Sequence, residues 1–426
     1  MRIFLILTGV AAIFYVLIAI IAFLTTKKKT VQEKSLQLSD LPTVTVQIPT
    51  YNELAALNCV KRCLNFDYPI ERLQIIIGDD SSDKKISKQI DLFALEYPDQ
   101  VLVTRRGNNL GYKPGNLNHM LQYSTGEIIV IFDSDFLPKK EFMKEIVKPF
   151  ILNPEIAAVQ ARWSIRNFEQ SLSSLFGGTI AYYTHYVLLP FTQNIGGTCF
   201  LCGSAEAIRK SVLIEIGEWS EHALTEDIEY TLRLMINKKK ILFLPHLKCE
   251  GEAPFILIDL CKQQMRWAYG NINALKKYFK SIFSRKRKKS ISFRDRMSVL
   301  IFLISYCFSF FVFFSTIFGF LGIVTINFKG ITLNWDFILS PSILNIVIIS
   351  CLVVVWIILM ILTKNTRSIF RVTLSMLTVG LVATYFIVSG IIKALFGKKM
   401  KWFMVKKKGN DTYQVAEKLS STSTGS

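Results

Sequence analysis

The sequence predicts an α/β domain, built on a parallel sheet, that lies between α-helices crossing a membrane. Two observations predict this fold class. Short β-branched strands alternate with helical segments between residues 44 and 132, and apolar runs of membrane length lie on both sides of that region. Of the 426 residues 51% are hydrophobic, which is too apolar for an ordinary soluble enzyme and too polar for a protein made of spans alone.

The first apolar run, residues 3–24, is long enough to cross a bilayer core, which takes about 20 helical residues. A cleaved signal peptide is the alternative. The run exceeds the usual apolar region of such peptides, about 7–15 residues, and it lacks a small-residue cleavage site. We therefore expect residues 1–26 to form an N-terminal transmembrane helix.

The C-terminal apolar runs predict a membrane region over residues 297–396, with about three to four spans. A basic tail, residues 397–426, follows, and we expect it to be partly disordered because its end is rich in serine and threonine. The runs themselves are residues 298–324, 343–362 and 372–396.

Clusters of lysine and arginine predict the orientation. Residues 27–29 and 285–289 are basic and flank the α/β domain, so the positive-inside rule places that domain in the cytoplasm of a multi-pass protein of the cell membrane. The loop 364–371 and the tail 397–426 are basic too, and they cannot both be cytoplasmic if one span separates them. The number of crossings therefore stays open.

The net charge is +19, from 51 Lys and Arg against 32 Asp and Glu. The basic residues lie beside the apolar runs and form no repeated recognition element, so we expect contact with membrane lipids and no nucleic-acid binding. The eight cysteines are scattered, and a cytoplasmic domain would keep them reduced. None of the four histidines stands at metal-ligand spacing from another.

Polar clusters follow the predicted strands of the α/β domain. In a parallel sheet the carboxyl ends of the strands meet at one edge, where ligands bind. We expect side chains from separate segments to converge there, namely Tyr51, Glu53, Asp79, Asp80, Asp133 and Asp135. The predicted strands are residues 44–49, 73–78, 101–104 and 127–132.

Asp133 and Asp135 stand two residues apart at a strand end, so their carboxylates can point the same way. Such a pair suits Mg²⁺ or Mn²⁺, which prefer oxygen ligands and share their shell with phosphates. The metal would neutralise charge on a diphosphate leaving group. The alternative is an acidic turn before the next helix.

Two helix starts could carry chemistry. Lys113 precedes a Pro-Gly turn into a helix, which is a plausible phosphate cradle or an ordinary junction. Thr225, Glu226 and Asp227 precede a helix predicted at 228–236. A carboxylate there could deprotonate a hydroxyl. The alternative is that Thr225 caps the helix and that Glu226 and Asp227 are the acidic residues of its first turn.

Gln263, Arg266 and Trp267 lie at positions i, i+3 and i+4, so they share one face of a predicted helix over 255–278. Arginine offers a planar fork for phosphate oxygens, and tryptophan offers a flat apolar face for a sugar ring. The alternative is an interfacial amphipathic helix with Trp at headgroup depth.

The ordered motifs resemble glycosyltransferase family 2, in particular its cellulose-synthase-like members, and are also similar to hyaluronan and chitin synthases. The resemblance covers about residues 44–270. It rests on Pro49-Thr-Tyr-Asn-Glu53, Asp79-Asp-Ser81, Lys113-Pro-Gly-Asn116, Asp133-Ser-Asp135, Val159-Gln-Ala-Arg-Trp163, Phe200-Leu-Cys-Gly-Ser-Ala205, Thr225-Glu-Asp227 and Gln263-x-x-Arg-Trp267.

The resemblance implies a GT-A (Rossmann-like) domain over residues 41–278 and an inverting transfer from a nucleotide sugar, most simply a UDP-sugar. It implies that Asp227 is the catalytic base and that Asp135, assisted by Asp133, binds the metal. The implied nucleotide-sugar residues are Thr50, Tyr51, Glu53, Asp79, Asp80, Lys113 and Asp133. The implied acceptor and diphosphate residues are Cys202, Gly203, Glu226, Gln263, Arg266 and Trp267.

Residues 403–409 resemble the gating segment of that family, with Lys406 where threonine is usual. The motifs leave two activities open: extension of a β-linked polysaccharide, with its possible translocation, or transfer of one or a few sugars to a membrane lipid. A non-catalytic membrane scaffold is a third alternative. The presence of all the acidic residues of the motifs argues against it. The sequence names neither the sugar nor the oligomeric state.

Overall fold

The structure of the chain is a computed structural model, which describes residues 2–25, 40–284, 291–324, 340–403 and 405–406. The basic clusters predicted to flank the α/β domain, at 27–29 and 285–289, lie outside these residues, as does the tail after residue 406. Helix α1 (Arg2–Thr25) precedes the domain and coincides with the first predicted span.

A seven-stranded sheet forms the centre of the domain. Its strands are β1 (Val44–Thr50), β2 (Leu73–Asp79), β3 (Val101–Thr104), β4 (Ile128–Ile131), β5 (Ile156–Ile165), β6 (Glu206–Arg209) and β7 (Lys240–Gly251). They follow the order β3-β2-β1-β4-β6-β5-β7. The strands β1 to β4 match the four predicted ones, and β1 runs parallel to both β2 and β4.

The sheet is mixed, because β6 runs antiparallel to its neighbours β4 and β5. The prediction of a parallel sheet therefore holds for β1 to β4 but not for β6. The cause is local: β6 leaves the turn at residues 202–205, which lies at the carboxyl end of β4, so the strand can only run back along β4.

Helices cover both faces of the sheet. Alternate side chains of the buried strands point to opposite faces, so Val46 and Ile48 pack on one side while Ile129 and Ile131 pack on the other. The helices are α2 (Ala55–Leu64), α3 (Lys84–Leu95), α4 (Tyr112–Tyr123), α5 (Phe142–Leu152), α6 (Leu172–Tyr183), α7 (Leu189–Asn194), α8 (Lys210–Glu215) and α9 (Glu226–Ile236).

In the described part of the chain four long helices follow the sheet: α10 (Leu257–Phe283), α11 (Phe293–Val324), α12 (Pro341–Leu362) and α13 (Ile369–Leu395). Helix α10 begins two residues after the predicted start of the amphipathic helix at 255 and extends beyond its predicted end at 278. By length and hydropathy, α1, α12 and α13 could each cross a membrane, and α11 could form a fourth span across a bend of 44°.

Helix α13 lies along the α/β domain over its whole length. Near its start Ser375 Oγ donates to Leu172 O at 2.6 Å, and near its end Lys276 Nζ donates to Ala394 O at 2.7 Å. Gly390 approaches α10 so closely that a Cβ there would lie 2.4 Å from Met265 O. A helix of this length is about 40 Å long, which is enough to cross a bilayer core.

Candidate active site

A cleft of about 190 Å³ opens at the carboxyl ends of β1 and β4. Every residue that the sequence predicted for the site lines it, except Asp79. Asp79 instead accepts from Arg105 Nε at 2.8 Å, and its side chain is buried. The predicted residues on the cleft wall are Thr50, Tyr51, Glu53, Asp80, Lys113, Asp133, Asp135, Cys202, Gly203, Glu226, Asp227, Gln263, Arg266 and Trp267.

One end of the cleft is formed by the loops after β1 and β2. Thr50 Oγ1 donates to Glu53 O at 3.1 Å, and Ser134 Oγ donates to the Glu53 carboxylate. Asp80 accepts from Arg106 Nη2 at 2.6 Å, and burial raises the pKa of Asp80 although this arginine opposes the rise. These bonds fix the backbone next to Tyr51.

The start of the C-terminal tail covers the same end of the cleft. The Trp402 ring stacks on Tyr112, with centroids 5.6 Å apart, and meets the Tyr51 ring edge-on at 5.9 Å. Lys406 N–H donates to Asp259 Oδ2 at 3.1 Å. The segment predicted to act as a gate thus begins against the cleft, while residues 407–409 lie outside the described part of the chain.

Asp133 and Asp135 follow β4 and face the middle of the cleft. The backbone N–H of Asp133 donates to Ser204 Oγ at 2.9 Å, and Asp135 Oδ2 accepts from the backbone N–H of Glu252 at 2.9 Å. The structured residues contain no group of three or more His, Cys, Asp or Glu side chains that could hold a metal. A cation here would have to complete its shell with water or ligand oxygens.

Lys113 connects the acidic residues of the cleft. Its Nζ lies 2.6 Å from Gly203 O, 2.7 Å from Asp133 Oδ1 and 3.1 Å from Glu226 Oε1. Burial alone would lower the pKa of Lys113, but Asp133 and Glu226 outweigh that effect and hold its pKa above the usual range. The three N–H donors of the ammonium therefore each have an acceptor within the protein.

Asp227 lies in the first turn of α9 and lines the same cleft as Asp133. Burial raises the pKa of Asp227 to about 7, and Glu226 adds to the rise, while Lys113, the Ile228 N–H and Arg266 oppose it. Thr225 occupies the position before the helix, yet its side chain makes no capping bond. A buried carboxyl with a pKa near neutrality is suited to take a proton.

The pKa of Asp227 predicts the pH dependence of any reaction that uses it as a base. Only the carboxylate accepts a proton, so kcat/KM should rise about tenfold per pH unit below pH 7 and level off above it. The measurement is a kcat/KM profile between pH 5.5 and pH 9. A profile that stays flat through this range would contradict the assignment.

The turn at residues 202–205 lies next to both Asp227 and Lys113. Gly203 has φ +84°, and a Cβ there would lie 3.3 Å from both Asp227 Oδ2 and Lys113 Nζ. Burial raises the pKa of the Cys202 thiol well above its usual range, with Asp227 and Glu206 adding to it, so this thiol is neutral. The cysteines of the structured segments are all free.

Sequence reasoning missed Glu206 and Gln160, which hold this turn. Glu206 Oε2 accepts from the backbone N–H of Gly203 at 2.9 Å and of Cys202 at 3.2 Å. Gln160 Oε1 accepts from Cys202 N–H at 2.8 Å, and its Nε2 donates to Ser204 O at 3.0 Å. Gln160 belongs to a predicted motif, and Glu206 directly follows another. Nothing in the sequence indicates that their side chains accept hydrogen bonds from the turn at residues 202–205.

Substitutions of Glu206 test whether its hydrogen bonds stabilise the turn at residues 202–205. Burial raises the pKa of Glu206 to about 8, with Asp227 adding to the rise, so the side chain is mostly neutral at pH 7. We expect Glu206→Gln, which keeps an acceptor oxygen, to retain most stability. Glu206→Leu should lower the free energy of unfolding by about 2 kcal/mol, because the buried N–H of Gly203 loses its acceptor, while that of Cys202 keeps Gln160. Equal melting temperatures for the two variants would contradict this role.

The residues of α10 close the cleft on the side of the long helices. Arg266 Nη1 donates to Leu224 O at 2.8 Å, which ties α10 to the loop before α9. Behind this face Tyr306 OH of α11 donates to the buried Gln264 at 3.3 Å. Gln263, Arg266 and Trp267 all line the cleft, so the predicted shared face is observed.

The relatives of the chain are proteins that transfer sugars. Glucomannan 4-beta-mannosyltransferase 2 of Arabidopsis thaliana is 29% identical over 280 residues, which make up 63% of this chain and 51% of that protein. Beta-monoglucosyldiacylglycerol synthase of Synechocystis sp. is 28% identical over 245 residues, 57% of this chain and 50% of that protein. The chain thus spans about half the length of these curated relatives.

A solved structure has the same fold over almost the whole chain. It is the mannosyltransferase PcManGT from Pyrobaculum calidifontis, solved in complex with GDP-Man and Mn²⁺, with a TM-score of 0.67 and 16% identity. The match covers 93% of this chain and 99% of that one, and it confirms the predicted GT-A fold. The family model of Glycosyltransferase like family 2 matches residues 42–270. That match covers more than half of the sequence, and the chain belongs to this family of glycosyltransferases.

Proposed function

We propose that the protein transfers a sugar from a nucleotide sugar to a hydroxyl acceptor at a membrane surface, with inversion at the anomeric carbon. One observation carries the proposal. A single cleft brings together Tyr51, the Asp133–Asp135 pair, Asp227 and the Arg266 fork, which come from four separate parts of the sequence. Each could have a structural role alone, but their convergence suits a reaction that needs a nucleotide, a metal, a base and a phosphate clamp.

Asp227 would act as the base. As its carboxylate takes the proton of the acceptor hydroxyl, the acceptor oxygen bonds to the anomeric carbon, and the bond to the diphosphate oxygen breaks. The nucleoside diphosphate leaves from the opposite face. A single displacement of this kind inverts the anomeric configuration, so an α-linked nucleotide sugar would give a β-linked product.

Asp133 and Asp135 fit a divalent cation, because both residues line the cleft and carboxylate oxygens are the ligands that Mg²⁺ and Mn²⁺ prefer. Mg²⁺ or Mn²⁺ bound there would neutralise charge on the departing diphosphate. Arg266, which lines the same cleft, would add a planar, always-charged fork for the phosphate oxygens. Lys113 would balance the carboxylates of Asp133 and Glu226, and it would also contact the diphosphate.

For the substrates we propose a UDP-sugar as donor and a growing β-linked glycan as acceptor. The name of the Arabidopsis relative favours glycan synthesis. The mannosyltransferase PcManGT was solved with GDP-Man, which makes GDP-mannose the second donor to test. A second function, transfer to a membrane lipid, is favoured by the apolar residues that line part of the cleft, such as Phe136, Ile165 and Ala253, and by the name of the Synechocystis relative.

We further propose that α1, α11 and α12 cross the membrane while α13 lies along its cytoplasmic surface. Two crossings after the α/β domain return the chain to the side of that domain. This arrangement is supported by the contacts at both ends of α13 and by Trp402, which lines the cleft. It also makes the loop 364–371 and the tail cytoplasmic, so both basic segments obey the positive-inside rule.

The test of the function uses the purified full chain in lipid nanodiscs with a panel of UDP- and GDP-sugars and either Mg²⁺ or Mn²⁺. We expect one nucleotide sugar to release its nucleoside diphosphate in a metal-dependent reaction. Products are then separated into lipid-extractable and high-mass fractions. Failure of every nucleotide sugar to turn over would refute the proposal.

A further inference from the structure

The first turn of α9, which carries Asp227, is not fixed by a cap of its own. Thr225 occupies the capping position, but its side chain makes no capping bond. A side chain that takes part in chemistry has to be held within about 0.5 Å of its working position. The contacts that hold this turn must therefore come from other parts of the fold.

Two contacts from α10 hold the segment that enters α9. Arg266 Nη1 donates to Leu224 O at 2.8 Å. Gly270, one turn further along α10, lies so close to Thr225 that a Cβ there would overlap the threonine side chain. Both contacts fix the backbone just before Asp227. Because they lie next to each other in the chain, they leave open the direction in which the helix continues.

A buried carboxylate supplies the third contact, one turn after Thr225. The Glu229 side chain is 4% exposed, and its Oε1 accepts from Lys277 Nζ at 2.7 Å and from Tyr278 OH, both on α10. Its Oε2 accepts from Arg233 Nε at 2.9 Å. Burial alone would raise the pKa of Glu229, but the three partners outweigh that effect and hold its pKa below the usual range. The side chain is therefore ionised at neutral pH.

Arg233 extends this network to the loop between α8 and α9. Its Nη1 donates to Ile216 O at 2.9 Å, and its Nη2 donates to Glu218 O at 2.5 Å. The guanidinium also lies over the ring of the buried Tyr230, 5.0 Å from its centroid. Glu229 is thus the acceptor that α10 and this arginine share, and α9 is held between α10 and the loop at residues 216–218.

Glu229 can act on Asp227 only through the helix backbone. Residues two apart on a helix do not face each other, and Asp227 lines the cleft whereas Glu229 does not. A buried ion network adds little net stability over an apolar contact of the same size. Its charge-assisted hydrogen bonds do fix direction and distance, which is what the alignment of a base requires.

We propose that Glu229 is a positioning residue for the base: by tying α9 to Lys277 and Tyr278 of α10, it sets the direction in which Asp227 enters the cleft. The inference rests on the proposed role of Asp227 and adds a residue that lies outside the cleft. The proton still passes from the acceptor hydroxyl to Asp227, and Glu229 exchanges no atom in the reaction.

The test uses two variants that break the same tie with opposite changes of charge. Glu229→Gln removes a negative charge, and Lys277→Met removes a positive one. For each, kcat/KM is measured between pH 5.5 and pH 9 in nanodiscs, with the nucleotide sugar that turns over. We expect both to lose about tenfold or more of the plateau value at high pH, because a misplaced base reacts slowly.

The midpoint of the pH profile separates position from charge. Burial is the main cause of the raised pKa of Asp227, so a base that is displaced towards water should titrate below pH 7 in both variants. A purely electrostatic effect would also lower the midpoint in Glu229→Gln, but it would raise the midpoint in Lys277→Met. Lys277 thus provides the decisive variant.

Three controls accompany these variants. Lys277→Arg keeps the charge and the donors, and we expect it to recover most of the plateau. Lys240→Met breaks an exposed ion pair, in which Lys240 Nζ lies 2.9 Å from Glu155 Oε2, and should leave the profile unchanged. Nucleotide binding reports whether each variant has folded. The Lys277 side chain is 53% exposed, so Lys277→Met tests the proposal even if Glu229→Gln does not fold.

The outcomes separate this inference from the proposed function. A midpoint that rises in Lys277→Met, or a plateau that stays unchanged there, would overturn the positioning role while the glycosyl transfer stands. A lower melting temperature with an unchanged pH profile would show that the network only stabilises the fold, and it would overturn the positioning role as well. If the unmodified enzyme released no nucleoside diphosphate from any nucleotide sugar, both proposals would fall.

Discussion

Replacing Asp227 with asparagine is expected to lower the rate of sugar transfer by about a thousandfold, in the range by which a positioned general base accelerates a reaction. The amide occupies nearly the same volume but cannot take the acceptor proton. The substitution should also remove the rise of kcat/KM near pH 7, because the group with the raised pKa is gone.

Nucleotide-sugar binding separates a loss of base from a loss of fold. We expect the dissociation constant of the nucleotide sugar to change by less than about threefold in Asp227→Asn, since the base acts on the acceptor side. Asp67→Asn is the matched control: Asp67 is exposed and pairs with Lys144 on the domain surface. Activity near that of the unmodified enzyme in Asp227→Asn would exclude Asp227 as the base.

The second large effect is expected from Lys113→Met. The ammonium is four-fifths buried and neutralises Asp133 and Glu226, so its removal leaves two carboxylates close together without a counter-charge. We expect a loss of about 3 kcal/mol in the free energy of unfolding, together with a severe loss of activity. A divalent cation should stabilise Lys113→Met more than the unmodified enzyme, because it supplies the missing positive charge.

A surface pair provides the control for Lys113→Met. Lys144 Nζ lies 2.8 Å from Asp67 Oδ2, a distance close to that of Lys113 from Asp133, but both partners are exposed. Lys144→Met should change the free energy of unfolding by less than about 1 kcal/mol. Thermal unfolding with and without Mn²⁺ measures both variants. Equal melting temperatures would show that Lys113 does not stabilise the acidic cluster.

The sequence could predict β1 to β4 and the residues that follow them because these features are local. Four hydrophobic β-branched segments and the polar turns after them identify one sheet edge, and Tyr51, Asp80 and Asp133 do lie in one cleft. Glu206 could not be found in this way. Its partners are backbone N–H groups three and four residues earlier, in a turn whose shape depends on Gly203 at positive φ.

The position of α13 could not be predicted either, because hydropathy measures only how apolar a segment is. The predicted span over residues 372–396 coincides with a helix that is long and apolar enough to cross a membrane. What keeps it beside the domain is tertiary packing: Gly390 against Met265, Gly380 against Phe176, and Ser375 on Leu172. Small residues at these three positions allow α13 to approach α6 and α10 closely. The hydrophobic periodicity of a helix does not reveal which other helices it packs against.

The anomeric configuration of the first product tests the central claim most directly. The full chain is incubated with an α-linked nucleotide sugar and a divalent cation, and the new glycosidic bond is read by NMR from its anomeric proton coupling before any further reaction. Attack assisted by Asp227 as a single base predicts a β-linked product. An α-linked product would require a double displacement through a second group, and it would contradict the mechanism proposed for this cleft.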